Sequence, residues 1–459
     1  MNSQEPTPTG AGPSSVGSAQ LRKVALSSLL GTVIEYYDFL LYSTMAALVF
    51  GKLYFPALTP GVSTVAAFGT LAAGYVARPL GGLLFGHFGD RLGRKSMLVV
   101  TMMLMGGASF LIGVLPTYDK IGFAAPVLLV LLRIVQGVAV GGEYGGAALM
   151  VIEHADSRRR GAWVGIMQLG SPFGFLLSTA AVTLVTLLPS EAFLSWGWRV
   201  PFLLSAVLLM IGLYVRLSVV ESPVFREAAA AAESQAQPKV PALQLLRQPR
   251  ALVLACAAGI GPFALTALTS SHIIAYATGL GYQMSDVMRA LLFTVSVSIV
   301  CIPLFSALSD RFGRRRVVMV GAVGTVLFAF PLYAMVDSES VVVMTVGLMI
   351  AQVLQNLMYS PLAPMLSEMF GTRVRYTGVS LGYQLASLLG AGFTPLIATS
   401  LVAATGGSSL PLTAIAALSA AITIVSIWLI AETRGRDLTD DGPAVAGRSD
   451  SGATMEETR

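Results

Sequence analysis

The sequence predicts an all-α membrane protein of twelve transmembrane helices in two six-helix bundles, on three observations. Of its 459 residues, 55% are hydrophobic and only 12% charged, against about 25% charged in an ordinary soluble domain. The apolar residues gather into twelve runs of about 20 residues, the length that crosses the hydrocarbon core as a helix. Landmarks of the first six runs recur in the second six. A mean hydropathy of +0.74 over this length cannot be hidden in one water-soluble core, and a helix satisfies its own backbone in lipid.

In chain order, residues 1–20 are rich in Ser, Gly, Pro and Thr and read as a disordered tail. They lack the basic segment, short apolar run and cleavage site of a signal peptide, so the first span is expected to be retained. The first bundle, residues 21–220, holds runs at Val24–Phe50, Val65–Phe88, Ser96–Leu115, Ala125–Ile152, Ala162–Leu187 and Val200–Val219. Residues 221–250 are polar and Ala/Gln-rich and read as a loop joining the halves. The second bundle, residues 251–432, holds Leu252–Gly279, Val287–Leu308, Val317–Val336, Val341–Met369, Thr377–Ala403 and Pro411–Ala431. Residues 433–459 form a short polar tail without apolar heptads.

Basic residues orient the chain. Twenty-three Lys and Arg, Arg216 among them, fall on the side that carries both termini. Only Lys52, Lys120, Arg199 and Arg289 fall on the other, with Arg78 and Arg133 left inside the membrane. That asymmetry places both termini in the cytoplasm. No basic tract with interleaved aromatics suggests a nucleic-acid partner. Cys256 and Cys301 lie in apolar runs as packing residues, and neither a metal site nor a cofactor is expected.

The repeat is explicit in two places. Gly89-Asp90-Arg91-Leu92-Gly93-Arg94-Lys95 follows span two, and Ser309-Asp310-Arg311-Phe312-Gly313-Arg314-Arg315 follows span eight, 220 residues on. Glu153, Arg158 and Arg160 follow span four; Glu368, Arg373 and Arg375 follow span ten, 215 residues on with the same spacing. Gly93 and Gly313 permit a tight turn at positive φ. Asp90 can pair with arginines and cap a helix N-terminus, and Glu153 offers Arg94 a partner. A charge cluster of Asp90, Arg91, Arg94 and Glu153, echoed by Asp310, Arg311, Arg314 and Glu368, is expected to hold one access state from the inner face. Ordinary loop charges are the alternative. Ser306 stands where the first loop has Gly86, so the second loop is expected to couple more weakly.

The doubled D-R-x-G-R-[RK] loop on a six-plus-six layout resembles the major facilitator superfamily. Four further stretches resemble its metabolite:proton symporter family: Ile34-Glu35-Tyr36-Tyr37-Asp38-Phe39; Arg78-Pro79-Leu80-Gly81-Gly82; Arg133-Ile134-Val135-Gln136-Gly137 with Gly141-Gly142-Glu143-Tyr144-Gly145-Gly146; and Thr372-Arg373-Val374-Arg375-Tyr376-Thr377-Gly378. The resemblance covers roughly Leu21 to Glu432. In the N-terminal half, Tyr37-Asp38-Phe39-Leu40-Leu41-Tyr42 and Phe85-Gly86-His87-Phe88-Gly89-Asp90-Arg91 look most like shikimate transporters. Tyr36 departs from the Trp that many members carry. The resemblance implies proton-coupled import of a small organic acid, such as shikimate or a dicarboxylate, by a monomer working through alternating access in a bacterial inner membrane. Other members carry citrate, proline or betaine. Parallel duplicated halves place the solute between them near mid-membrane.

Five ionisable side chains stand inside spans: Glu35, Asp38, Arg78, Arg133 and Glu143. Each costs about 2.5–3.5 kcal/mol on insertion scales and calls for a partner. Helical spacing puts Glu35, Asp38 and Tyr42 on one face of span one, and Gln136 above Glu143 on span four with Arg133 near by. Formally the five sum to −1. Glu35 or Asp38, with Glu143 as a further candidate, is read as proton carrier. Arg133, helped by Arg78, Gln136 and Tyr42, is read as counter-ion for an anionic solute, since its planar fork grips a carboxylate with two hydrogen bonds. The alternative is a fixed network tying spans one, two and four. His87 is read as a structural hydrogen-bonding group beside Asp90. Span ten offers Gln355 and Asn356 and span eleven Tyr383, uncharged groups suited to solute hydroxyls or to interhelical bonding.

Rival classes fit less well. No zincin, nucleophile-elbow or P-loop pattern appears, so an enzyme or an ATP-driven pump is not expected. A non-transporting sensor would need an appended signalling domain. Proton antiport efflux and osmolyte uptake remain as alternatives within transporters.

Overall fold

The computed structural model describes residues 18–222, 225–226, 245 and 249–438. Most of the expected N-terminal tail, central loop and C-terminal tail lies outside the described residues. Twelve long helices carry the fold: α1 (Ala19–Tyr54), α2 (Pro60–Leu92), α3 (Arg94–Val114), α4 (Ala124–His154), α5 (Arg160–Thr186), α6 (Ser190–Leu217), α7 (Pro249–Gly279), α8 (Met284–Phe312), α9 (Arg314–Val336), α10 (Val341–Met369), α11 (Thr372–Ala404) and α12 (Leu410–Leu429). Eleven are long and apolar enough to cross a membrane by composition. The remaining one, α2, has the length but is diluted by glycines and Arg78. Several helices overrun the expected spans. The largest correction is α6, which begins at Ser190 rather than Val200, because Trp196 and Arg199 interrupt the apolar run without interrupting the helix.

Helix packing repeats between the halves. α2 packs on α4, α3 on α4 and α6, and α1 on α5 and α6. Six helices later, α8 packs on α10, α9 on α10 and α12, and α7 on α11 and α12. The halves meet along two seams, α2 against α11 and α5 against α8. Gly93 and Gly313 make matching turns, with φ of 102° and 100°. Only a residue without Cβ takes up that region readily. The glycines of α4 act as expected: a Cβ on Gly137 would overlap the Gly74 carbonyl, and one on Gly141 the Arg78 carbonyl. They let α2 and α4 approach backbone to backbone. α7 runs through Pro262 and relaxes into a π-helical turn at Ala267–His272, as α1 does at Ala46–Phe50.

Candidate functional site

Two polar regions stand out. The first is a narrow cleft within the first half, lined by Glu35, Asp38, Arg78, Arg133 and Gln136 together with Phe39. α1 supplies the acids one turn apart, α2 supplies Arg78, and α4 supplies Arg133 and Gln136, as helical spacing requires. Asp38 Oδ1 accepts from the Ser205 hydroxyl at 2.6 Å, while Oδ2 is buried without a hydrogen bond. Glu35 Oε2 is likewise buried and unbonded. Arg133 donates to Gln136 Oε1 at 3.1 Å, and Gln136 donates to Ser109 at 2.6 Å. Neither arginine is in an ion pair among the described residues. Aromatic faces hold them instead: Arg133 lies 4.2 Å from the Tyr42 ring centroid, and Arg78 lies 4.1 Å from that of Tyr75 and 5.1 Å from that of Phe39. Such stacking supports a guanidinium without consuming its hydrogen-bonding fork.

Glu143 is not in this cleft. It forms an ion pair with Arg216 at 2.5 Å and accepts from Thr101 at 2.5 Å, with both charged side chains buried. Arg216, on the side of the basic loops, turns inward from the last turn of α6 and is 2% exposed. Taken with Arg216, the side chains Glu35, Asp38, Arg78, Arg133 and Glu143 sum formally to zero.

Facing the cleft from the second half is a tyrosine cluster. Tyr383 stacks on Tyr144 across the halves with centroids 3.7 Å apart, and its hydroxyl lies 3.1 Å from that of Tyr359. The Tyr359 hydroxyl in turn lies 3.4 Å from that of Tyr36. Asn356 and Gln352 both donate to Ser298 on α8, and Gln352 donates to Gln355. Asn356 is thus engaged in helix–helix bonding, while Gln355 and Tyr383 belong to the tyrosine side of the site.

The second region joins the halves at the face that carries the basic loops. Asp90 accepts from the amides of Tyr376 and Thr377 at 3.1 and 3.0 Å and from the Thr377 hydroxyl at 2.7 Å, capping the first turn of α11. Asp310 accepts from the amides of Gly161 and Ala162 at 2.9 and 2.8 Å, capping α5. Arg94 pairs with Glu153 at 3.3 Å, and Arg314 with Glu368 at 3.3 Å. Each acid also reaches an arginine of the other half: Glu153 with Arg375 at 3.5 Å, Glu368 with Arg160 at 3.7 Å. The second loop is not the looser one. Ser306 packs where Gly161 and Gly165 have no side chain, so the small residues have moved to the opposing helix. Gly86 shows the converse, because a Cβ there would meet Thr377 Cα.

Arg91 and Arg311 do not join this network. Each is exposed, and each lies about 100° around its helix from the neighbouring aspartate. His87 Nδ1 is buried without the hydrogen bond expected of it. Two further acids were missed. Glu221 receives the Arg94 and Lys95 amides at 3.1 and 3.0 Å, and Glu432 receives those of Arg314 and Arg315 at 2.9 and 3.2 Å. The hydroxyls that follow them, Ser222 and Thr433, donate to Glu153 and Glu368. Glu221-Ser222 and Glu432-Thr433 stand 211 residues apart, a third echo that was present in the sequence.

Residues 24–239 match the model of the sugar (and other) transporter family, and residues 287–449 match that of the major facilitator superfamily. The chain is 42% identical to the shikimate transporter of Escherichia coli K12 over 388 residues, covering 84% of this chain and 88% of that protein. The chain belongs to the major facilitator superfamily. Another superfamily relative, the inner membrane metabolite transport protein YhjE of the same strain, is 39% identical over 424 residues, covering 91% of this chain and 95% of that one. Among solved structures of the superfamily, the proton:xylose symporter XylE bound to 6-bromo-6-deoxy-D-glucose matches with a TM-score of 0.75 at 18% identity, over 92% of this chain and 98% of that chain. At that identity the likeness establishes the fold. As a superfamily member the chain is a multi-pass transporter and not an enzyme.

Proposed function

We propose that the chain is a proton-coupled symporter that imports a small organic acid, of which shikimate is representative. The observation that carries this reading is the cleft's composition: two guanidiniums free of carboxylate partners beside two carboxylates that each keep a buried, unbonded oxygen. The four formal charges cancel. A monoanionic solute adds one negative charge, and one proton on Asp38 or Glu35 restores neutrality. Solute and proton then enter the low-dielectric site together at less cost than either alone. Arg133, with Arg78 beside it, offers the bidentate fork; Gln136 fixes Arg133, and Tyr42 supports its face. Gln355 and Tyr383, with Asn356 behind them, complete the site from the second half and meet solute hydroxyls.

An osmolyte reading is less well supported. A quaternary ammonium needs bare aromatic faces, and here Arg78 and Arg133 cover those of Tyr75, Phe39 and Tyr42. The transporter reading also assigns the basic face to the cytoplasm of a bacterial inner membrane. Residues 21–220 and 251–432 rock as two bodies of a monomer, and the paired caps at Asp90 and Asp310 seal the cytoplasmic side in the state described. The test is uptake of labelled shikimate into vesicles of the purified protein. Accumulation should follow an acid-outside gradient and collapse with a protonophore. Accumulation that follows sodium instead would overturn the reading.

A further inference from the structure

One buried charge pair remains without a use. Glu143, Arg216 and Thr101 lie between the cleft and the basic face, wholly inside the first half. Along α1, Asp38, Glu35, Gly31 and Ser28 follow at spacings of three or four and share one side of the helix, with Ser27 four residues from Gly31 beside it. Gly31 makes the central gap. A Cβ there would stand 2.7 Å from Glu143 Oε1 and 2.9 Å from Arg216 Nη2, so the pair occupies the space of a missing side chain. Arg216 Nη2 is buried without a hydrogen-bond partner. Beyond it a narrow crevice, lined by Ser27, Ser28, Lys95, Met150, Arg216 and Val219, sits at the basic end of α1, α3 and α6. On the other side lies an apolar cluster of Ile34, Met102, Met105, Ala139 and Val140, of which Met105 and Val140 also line the cleft.

We propose that Glu143, Arg216 and Thr101 form a proton-exchange site within the first half, served from the basic face by this crevice and separate from the path the solute takes between the halves. The inference rests on the symporter reading above. The step balances simply. A proton released by the cleft acid Glu35, one turn from Gly31, is taken by Glu143, which becomes a neutral acid and lets go of Arg216. Arg216 keeps its charge and meets water in the crevice. Glu143 then gives the proton to that water, and the ion pair re-forms. One proton crosses, and no other bond changes. Besides Arg216, the titratable groups packed around Glu143 are Glu35 on α1 and Tyr376 on α11, whose hydroxyl donates to the Gly142 carbonyl at 2.9 Å. Neither replaces Arg216 as the cation that a charged Glu143 needs. A purely structural ion pair would require the gap at Gly31 but not a crevice reaching Arg216.

The test uses full-length protein in vesicles with labelled shikimate, comparing gradient-driven accumulation with gradient-free exchange. In the charge-neutral double variant Glu143→Gln/Arg216→Met, the ratio of accumulation to exchange should fall at least tenfold. A wild-type ratio in that variant overturns the proposal and leaves the symporter reading standing. No gradient-driven accumulation by the wild type would overturn both. Ser27→Leu blocks the crevice without touching the pair and covers the case in which the double variant fails to insert. It should slow accumulation about tenfold with exchange unchanged, and unaltered accumulation would likewise overturn the proposal.

Discussion

Asp90 on α2 and Thr377 on α11 meet twice at one oxygen: the amide and the hydroxyl of Thr377 both donate to Asp90 Oδ2, at 3.0 and 2.7 Å. At the seam between α5 and α8, Asp310 takes the amides of Gly161 and Ala162, one at each carboxylate oxygen. Hydrogen bonds to a charged acceptor are worth about 1.5–3 kcal/mol each, and a bond made in only one state shifts the population toward the other when it is lost. Asp90→Asn should therefore raise the share of protein open at the basic face about ten- to a hundred-fold. Ser380→Cys gives the readout, because Ser380 is buried on α11 with its hydroxyl unpartnered. Its labelling from the basic side should speed up by that factor. Asp310→Asn should act with similar strength, since both caps hold two backbone amides. Unchanged labelling in both variants would reduce the loop charges to topology signals.

Asp38→Asn keeps the bond from Ser205 and removes the titratable group. Accumulation driven by an acid-outside gradient should drop to the level reached without a gradient, with normal insertion. Full accumulation would pass the proton role to Glu35.

Arg133→Lys keeps the charge and loses the fork. Losing one charged hydrogen bond should weaken solute binding about ten- to a hundred-fold, measured by equilibrium binding to purified protein. Equal affinity would make Arg133 a structural ion.

Charge balance in the cleft predicts one proton for each monocarboxylate. Uptake of labelled shikimate should then be indifferent to membrane potential at a fixed pH gradient. A strong response to a potassium diffusion potential would contradict that stoichiometry.

Gly31→Ala tests how tightly α1 holds the buried pair. The added methyl displaces Glu143 or Arg216, and overpacking of this kind costs about 1–3 kcal/mol. Thermal unfolding in detergent should shift downward, and Gly107→Ala, which meets nothing within 4 Å, is the control. Equal shifts in the two variants would mean that α1 adjusts freely.

Much of this was legible in the sequence, for identifiable reasons. Span number follows from run length, and the Asp90 and Asp310 loops announce themselves by repetition. Glu35, Asp38, Arg78 and Arg133 are conspicuous because lipid penalises them. What was hidden depends on direction and on partners. Arg216 sits one residue from the end of α6, so a basic count cannot tell whether it faces the loop or turns inward to Glu143. Arg91 and Arg94 look alike in the motif, yet only Arg94, carried past the turn at Gly93, comes back to Asp90 at 3.8 Å and to Glu153 at 3.3 Å. The contacts between Tyr36 and Tyr359, 323 residues apart, carry no local signal at all.

The seal at the basic face has an unequal sensitivity to mutation on its two sides. Asp90 and Asp310 each need one particular side chain, whereas the groups that receive them are mostly main-chain amides, which every residue but proline supplies. Gly161 is the constrained exception, because a Cβ there would stand 2.5 Å from the Ser306 carbonyl oxygen. A proline at Tyr376 or Gly161 would therefore disable the lock as surely as loss of the acid, because it removes the amide that the aspartate holds.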